Sequence, residues 1–277
     1  MWTTEIKPRR SLFDLNLREI WQYRDLTLLF VKRDFIAQYK QTILGPLWFL
    51  LQPLFSTVIF TIIFSRVARI PTDNVPPFLF YMAGNVVWGY FSNCFNATST
   101  TFVTNAAIFG KVYFARLVMP LSNVITRLFM FIIQFGLFAA FYGYFLMKGA
   151  PIRPNIWILS MPLLLLQMAL MGLGFGILIS SLTTKYRDLS FLVAFGVQLW
   201  MYATPIVYPL SQIPAKYRLL MNLNPMTSVV EVFRFAFLGQ GTVSAEGIWC
   251  SLIETLLVLV IGTVLFNRVE KTFMDTV

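Results

Sequence analysis

Residues 154–184 read PNIWILSMPLLLLQMALMGLGFGILISSLTT, 31 positions without one charged side chain. At 1.5 Å of rise per residue, roughly 18–20 helical residues cross a hydrocarbon core of about 30 Å. A charge inside that core is unfavourable, so an uncharged run of this length reads as a membrane-crossing helix. The same reading extends outward along the chain. Gln41–Ser65 is free of charge over 25 residues, Asn74–Gly110 over 37, Leu128–Met147 over 20 and Leu189–Ala215 over 27. All 277 residues together carry only 22 Lys+Arg and 12 Asp+Glu, and 57% are hydrophobic, whereas soluble domains are about a quarter charged. The fold class is an all-α integral membrane protein, forming one transmembrane domain over 1–277.

Six spans are expected near 46–65, 78–98, 121–146, 156–182, 189–208 and 247–267. With both termini inside, fourteen Lys/Arg fall in cytoplasmic segments and seven outside, a bias that orients the chain N-in and C-in. Ahead of the first span, residues 12–41 read as an amphipathic interface helix. Asn16 and Glu19 have capping-box spacing, Leu15 and Ile20 form a hydrophobic staple, and Leu28, Val31, Phe35 and Tyr39 share a face opposite Lys32, Arg33 and Lys40. Gly45-Pro46 opens span one, with proline where its missing N–H matters least. Between spans five and six, Pro205, Pro209, Pro214 and Pro225 break the chain. Met226–Leu238 is then too short to cross, so 209–246 is expected to form a re-entrant outer hairpin.

Several chemistries are excluded. The chain has no histidine, which removes imidazole metal sites and Ser–His catalysis, and neither catalytic nor metal-ligating residues are assigned. Cys94 and Cys250 lack ligand spacing and read as small buried hydrophobes. Gly110-Lys111-Val112 is no phosphate-binding loop, and Gly172, Gly174 and Gly176 are no dinucleotide fingerprint. Gly172, Gly176 and Ser180 instead form a small-residue ladder that lets a neighbouring helix approach closely. The formal charge of +10 is a topology signal rather than a nucleic-acid footprint.

Two charges fall deep in spans: Arg127, about two turns from the inner end of span three, and Glu254, about two turns from the outer end of span six. Arg127 can snorkel to the inner headgroups. Glu231 and Arg234 stand three apart on the outer hairpin, and Arg234 is expected to neutralise Glu231 or Glu254 and pin the hairpin against span six. Uncharged stripes give a second pattern. Trp48, Gln52, Phe55 and Ile59 align on span one, Tyr81, Asn85, Trp88 and Ser92 on span two, and Gln198, Tyr202 and Pro205 on span five. Amides exchange hydrogen bonds with hydroxyls and aromatic faces stack on sugar C–H faces, so these stripes suit a neutral polar polymer. Interhelical packing with interfacial aromatic belts is the alternative for each residue.

Tyr39-Lys40-Gln41-Thr42-x-Leu44-Gly45-Pro46-Leu47-Trp48, continuing to Gln52-Pro53, resembles the opening of the first span in ABC-transporter permeases that export bacterial O-antigen, capsule and teichoic acid. Lys111-Val112-Tyr113-Phe114 with Arg116, Tyr186-Arg187-Asp188, and Asn224-Pro225-Met226 with Glu231 and Arg234 agree in order. The likeness runs from about Leu17 to the sixth span. It implies a homodimer of six-span subunits in the bacterial cytoplasmic (inner) membrane, with two separate cytoplasmic ATPase subunits. No cofactor would be bound by this chain; ATP and Mg would sit on the partner ATPase. Lys111, Tyr113, Arg116, Lys185, Tyr186, Arg187 and Asp188 would couple to that ATPase. Asn224, Pro225, Glu231 and Arg234, with Glu254 beside them, would form an outer gate. Trp48, Gln52, Phe55, Tyr81, Asn85, Trp88, Gln198 and Tyr202 would line the path of a polyprenol-linked glycan entering from membrane lipid. Competing readings are an ABC permease for a small drug or natural product, a membrane enzyme acting on lipid-linked sugars, and an ion channel. The enzyme would need clustered charges, and the channel a filter motif.

Overall fold

The computed structural model describes residues 17–40, 42–109, 111, 114–183 and 188–276, and no strand occurs among them. Two helices lead, α1 (Leu17–Gln22) and α2 (Arg24–Tyr39). A 3-10 turn over Gly45–Leu47 runs into α3 (Trp48–Phe60), which widens into a π-helical stretch, Thr61–Val67. Then come α4 (Pro77–Ser99), the short α5 (Thr101–Thr104) and α6 (Ala106–Phe109), and the long α7 (Val118–Met147). A 3-10 turn over Ile156–Ser160 feeds α8 (Met161–Thr183), followed by α9 (Leu189–Ala203). Two shorter helices, α10 (Ala215–Asn222) and α11 (Pro225–Leu238), precede α12 (Ala245–Thr276).

Four helical stretches among the described residues combine spanning length with strongly apolar composition: Gly45–Val67, Val118–Met147, Ile156–Thr183 and Ala245–Val269. The other two expected spans differ for separate reasons. α4 has the length, 23 residues, but its asparagines, serines and glycines lower its hydropathy. It is the central helix, packed among α3, α7, α8 and α11, and most of its residues are buried by protein. A helix in that position has little lipid to satisfy. α9 has 15 residues and stops at Ala203, five short of the expected end. Thr204 is extended there because the residue before a proline is pushed out of the α region.

The seam that organises the bundle is made by glycine. A Cβ on Gly172 would lie 2.6 Å from Cys94 Cβ, and one on Gly176 would lie 2.3 Å from Thr98 Cβ, so α8 and α4 meet backbone to backbone. Gly174 points the opposite way, where its Cβ would come within 3.0 Å of the Leu259 backbone on α12; a Cβ on Gly262 would meet the Gly174 carbonyl at 2.6 Å. The ladder expected from Gly172, Gly176 and Ser180 is therefore a close-approach face, and α8 carries a second such face behind it. Ser180 continues the first, its Oγ accepting from the Phe102 amide at 3.4 Å.

The leading helix differs from its expected form. It breaks at Tyr23, α2 packs along α7, and Thr27, Phe30 and Val31 are its buried side chains. Phe30 meets Phe114 and Phe35 meets Phe129. The expected apolar face is divided: Val31 is buried by protein, while Leu28 is 60% exposed beside Leu29 at 61%. The capping pair Asn16 and Glu19 and the staple from Leu15 involve residues outside the described ones.

Candidate functional site

A groove of about 410 Å³ opens between α3, α4, α7 and α9. Six amides reach it: Gln52 from α3, Asn85, Asn93 and Asn96 from α4, Gln134 from α7 and Gln198 from α9. Trp88, Phe60 and Tyr202 supply aromatic surface, and no lining residue carries a charge. The α3–α4 wall is held by a hydrogen bond from Asn85 Nδ2 to Thr57 Oγ1 (3.2 Å), with Thr57 in turn donating to the Pro53 carbonyl (2.8 Å). Such a surface offers donors and acceptors to hydroxyls and flat apolar faces to sugar rings, and nothing for a metal. Among the described residues no three His, Cys, Asp or Glu side chains come together.

Of the expected path residues, Gln52, Asn85, Trp88, Gln198 and Tyr202 meet in this groove. Trp48 and Phe55 lie outside its lining, 48% and 55% exposed on α3. Tyr81 is fully buried behind the groove, its ring near Phe60 and Phe64. Asn93, Asn96 and Gln134 were missed. Asn96 follows Asn85 by eleven residues, which returns to the same helical face, so extending the α4 stripe past Ser92 would have found it. Gln134 is the lone amide in the 20-residue apolar run of α7.

The outer residues form a second cluster. Asn224 caps α11, its Oδ1 accepting from the Met226 amide (3.1 Å) and from the Trp200 indole N–H (3.0 Å). Its Nδ2 donates to Thr204 Oγ1 (2.9 Å), and Pro225 occupies the first helical position. Trp200 itself packs edge-on against Trp88, Phe91 and Phe175, so one asparagine joins the groove wall to the outer helix. We expect Asn224→Ala to lower stability by about 1–2 kcal/mol, read as thermal unfolding in detergent, because a helix cap and the acceptor of a partly buried indole are lost together.

Arg234 and Glu231 are both about 2% exposed. Arg234 donates to the carbonyls of Pro205 and Ile206 and, at 3.4 Å, to Glu231 Oε1, and its guanidinium lies 3.7 Å over the Phe80 ring. Glu231 Oε2 accepts the Thr242 amide at 2.7 Å. Of the two expected partners, Arg234 thus takes Glu231 and not Glu254. It pins α11 to α4 and the 205–206 turn rather than to the sixth span. The carbonyls it binds lie just past the end of α9, in the non-helical stretch that Pro205 opens. A hydrogen bond between α11 and α12 is made instead by Ser251, which donates to the Pro225 carbonyl and accepts from Gln167, each at 2.6 Å. Glu254 lies in an apolar crevice of about 600 Å³ between α9, α10 and α12, its Oε2 without a partner.

Among the expected coupling residues, Lys111 and Asp188 are exposed and Arg116 stacks its guanidinium 5.9 Å from the Phe109 ring centre. Tyr113, Lys185, Tyr186 and Arg187 lie outside the described residues.

A helical bundle with apolar outer faces and a neutral, amide-lined groove defines a membrane-embedded permease class of protein. Residues 25–238, from α2 through α11, match the ABC-2 type transporter family, and the chain belongs to it. Three curated relatives are named O-antigen export system permease protein RfbA. One from Klebsiella pneumoniae is 29% identical over 255 residues, covering 91% of this chain and 94% of its own. The one from Myxococcus xanthus is 27% identical over 267 residues, covering 94% and 98%. The chain is also similar to the capsule polysaccharide export inner-membrane protein CtrC of Neisseria meningitidis serogroup B, at 22% over 248 residues, 86% and 89% of the two chains.

Proposed function

We propose that the chain is the membrane subunit of an ATP-driven exporter that moves lipid-linked, O-antigen-like polysaccharide out across the bacterial inner membrane. The observation that carries this is the groove: six amides and several aromatic faces with no charge, in a family of transporters whose relatives are named for O-antigen and capsule export. An uncharged, hydroxyl-rich polymer is the cargo such a lining discriminates least against along its length, which processive passage requires. In this reading α3, α4, α7, α8, α9 and α12 are six spans with both termini inside. α2 rests in the inner interface with Leu28 and Leu29 in lipid, and α10 and α11 form the outer gate. Two copies complete the path. The groove is open along one side, and the α3 and α9 flanks beside it are apolar and uncovered, with Phe55 55%, Ile59 51%, Phe191 79% and Phe195 61% exposed. ATP and Mg act on two separate cytoplasmic subunits, docked near Lys111, Arg116 and Asp188.

Deletion of the gene is expected to trap lipid-linked glycan on the cytoplasmic side, and the purified chain is expected to bring an ATPase with it. Normal surface glycan in the deletion strain would reject the reading; sensitivity to a small natural product with no trapped glycan would favour a small-molecule exporter. For the path itself, Gln52→Leu with Gln198→Leu removes two amides from opposite walls without touching a packed helix seam. Glycan export is expected to fall about tenfold, the equivalent of about 1.4 kcal/mol on passage, with protein level and ATPase association unchanged. Wild-type export in that double variant would remove the groove as the path.

A further inference from the structure

Arg127 stands on α7 with Asn123 four residues before it and Gln134 seven after, which sets the three within about 40° on one stripe of the helix. Its companions fix where the stripe faces. Asn123 donates to the Ala97 carbonyl (3.0 Å) near the C-terminal end of α4 and to Thr101 Oγ1 (3.3 Å) just beyond it, and Gln134 lines the groove. Arg127 itself lies just outside the groove lining, on the stripe that leads from Gln134 toward the end of α4, where Asn93 and Asn96 line the groove. The cation is poorly partnered. Its Nη1 meets the Met130 thioether at 3.4 Å, a weak acceptor, and its Nε is buried without any acceptor. Asp34 on α2 is the carboxylate whose field reaches it, but Asp34 already accepts from Arg33 at 2.7 Å. A guanidinium at span depth with one buried donor unmet and another resting on a thioether marks a place for an anion, and its planar fork matches phosphate oxygens.

We propose that Arg127 binds the phosphate or pyrophosphate through which a polyprenyl lipid carries its glycan, a step that rests on the exporter reading above. A carrier lipid fits the site better than bulk phospholipid. The phosphate meets Arg127, the first sugars continue onto the amides of Asn93, Asn96 and Gln134, and the prenyl chain stays in the membrane beside α2. The cation thereby registers the start of the polymer, while the neutral groove beyond it is indifferent to which sugar follows.

The test uses the full chain with its copurifying ATPase in phosphatidylcholine nanodiscs, titrated with radiolabelled farnesyl diphosphate. Wild type is expected to bind saturably, Arg127→Gln at least about tenfold more weakly, and farnesol, lacking phosphate, equally to both. Phosphatidylglycerol is expected not to displace the diphosphate. Equal affinity of wild type and Arg127→Gln, or no saturable binding to wild type, overturns the proposal. So does phosphatidylglycerol competing as well as the diphosphate, which would assign the cation to bulk lipid. If Arg127→Gln fails to assemble, Arg127→Lys carries the test: it keeps the charge but not the fork, an affinity loss of about threefold is expected, and unchanged affinity overturns the proposal. Binding is read without export, so failure here leaves the exporter reading standing, and a deletion strain with normal surface glycan overturns that reading whatever Arg127 binds.

Discussion

Arg234→Ala is expected to destabilise the folded protein by about 3–5 kcal/mol, seen as a large fall in thermal midpoint in detergent and in the amount of protein recovered. The size follows from what the side chain leaves behind. Glu231 is then a buried carboxylate with one backbone N–H for company, and the carbonyls of Pro205 and Ile206 lose their donor. The Phe80 face also loses its cation. Glu231→Gln is milder, because the amide still accepts from Thr242 and Arg234 retains two carbonyls and the ring; about 1–3 kcal/mol is expected. A double-mutant cycle between the two positions should give a coupling well above that of exposed ion pairs. If Arg234→Ala stays within about 1 kcal/mol of wild type, the buried network is not what holds α11 in place.

The second large effect belongs to the glycine seam. Gly176→Ala adds a Cβ that would fall 2.3 Å from Thr98 Cβ and 2.6 Å from its Cγ2, with the Phe95 carbonyl at 3.3 Å. Neither helix can move aside freely, since α8 is held on its other face by the Gly174–Gly262 crossing with α12. A loss of about 1–3 kcal/mol is expected for the single change, and more for Gly172→Ala with Gly176→Ala, which load the same seam. Gly136→Ala and Gly196→Ala are the controls: their added Cβ atoms meet nothing within 4 Å, and alanine favours the helix, so stability should hold or rise slightly. Moving the atom to the other helix, Gly176→Ala with Thr98→Gly, should recover part of the loss. Equal melting of Gly176→Ala and Gly196→Ala would contradict a backbone-to-backbone seam.

The two predictions mark different depths of legibility. The glycine ladder was readable because its spacing is a property of one helix: residues four apart share a face whatever surrounds them. The choice between Glu231 and Glu254 for Arg234 was not, because the sequence places both at the depth of the outer hairpin and only the packing around the turn at Thr204-Pro205 shows which way the side chain runs. That turn supplied two free carbonyls on the α4 side and drew the guanidinium there. Trp48, Phe55 and Tyr81 illustrate the same limit. Each belongs to a helical stripe that includes groove residues, but a stripe is wider than a groove, and its edges face lipid, a partner or the core according to where neighbouring helices fall.

The charge-free runs by themselves determined that this is a helical membrane protein, and roughly where most of its long helices lie. Hydrocarbon admits only structures that satisfy their own backbone, and long continuous apolar runs, rather than short alternating ones, select helices over a barrel. The order of motifs also carried the resemblance to exporter permeases. Only the tertiary structure decided which face of α2 packs, that α9 stops at Ala203, that Arg234 closes on Glu231, and that five of the eight expected path residues share one groove with three amides not foreseen. Those outcomes depend on contacts between residues distant in sequence. Packing and hydrogen bonding there choose among several faces that local periodicity leaves equally acceptable.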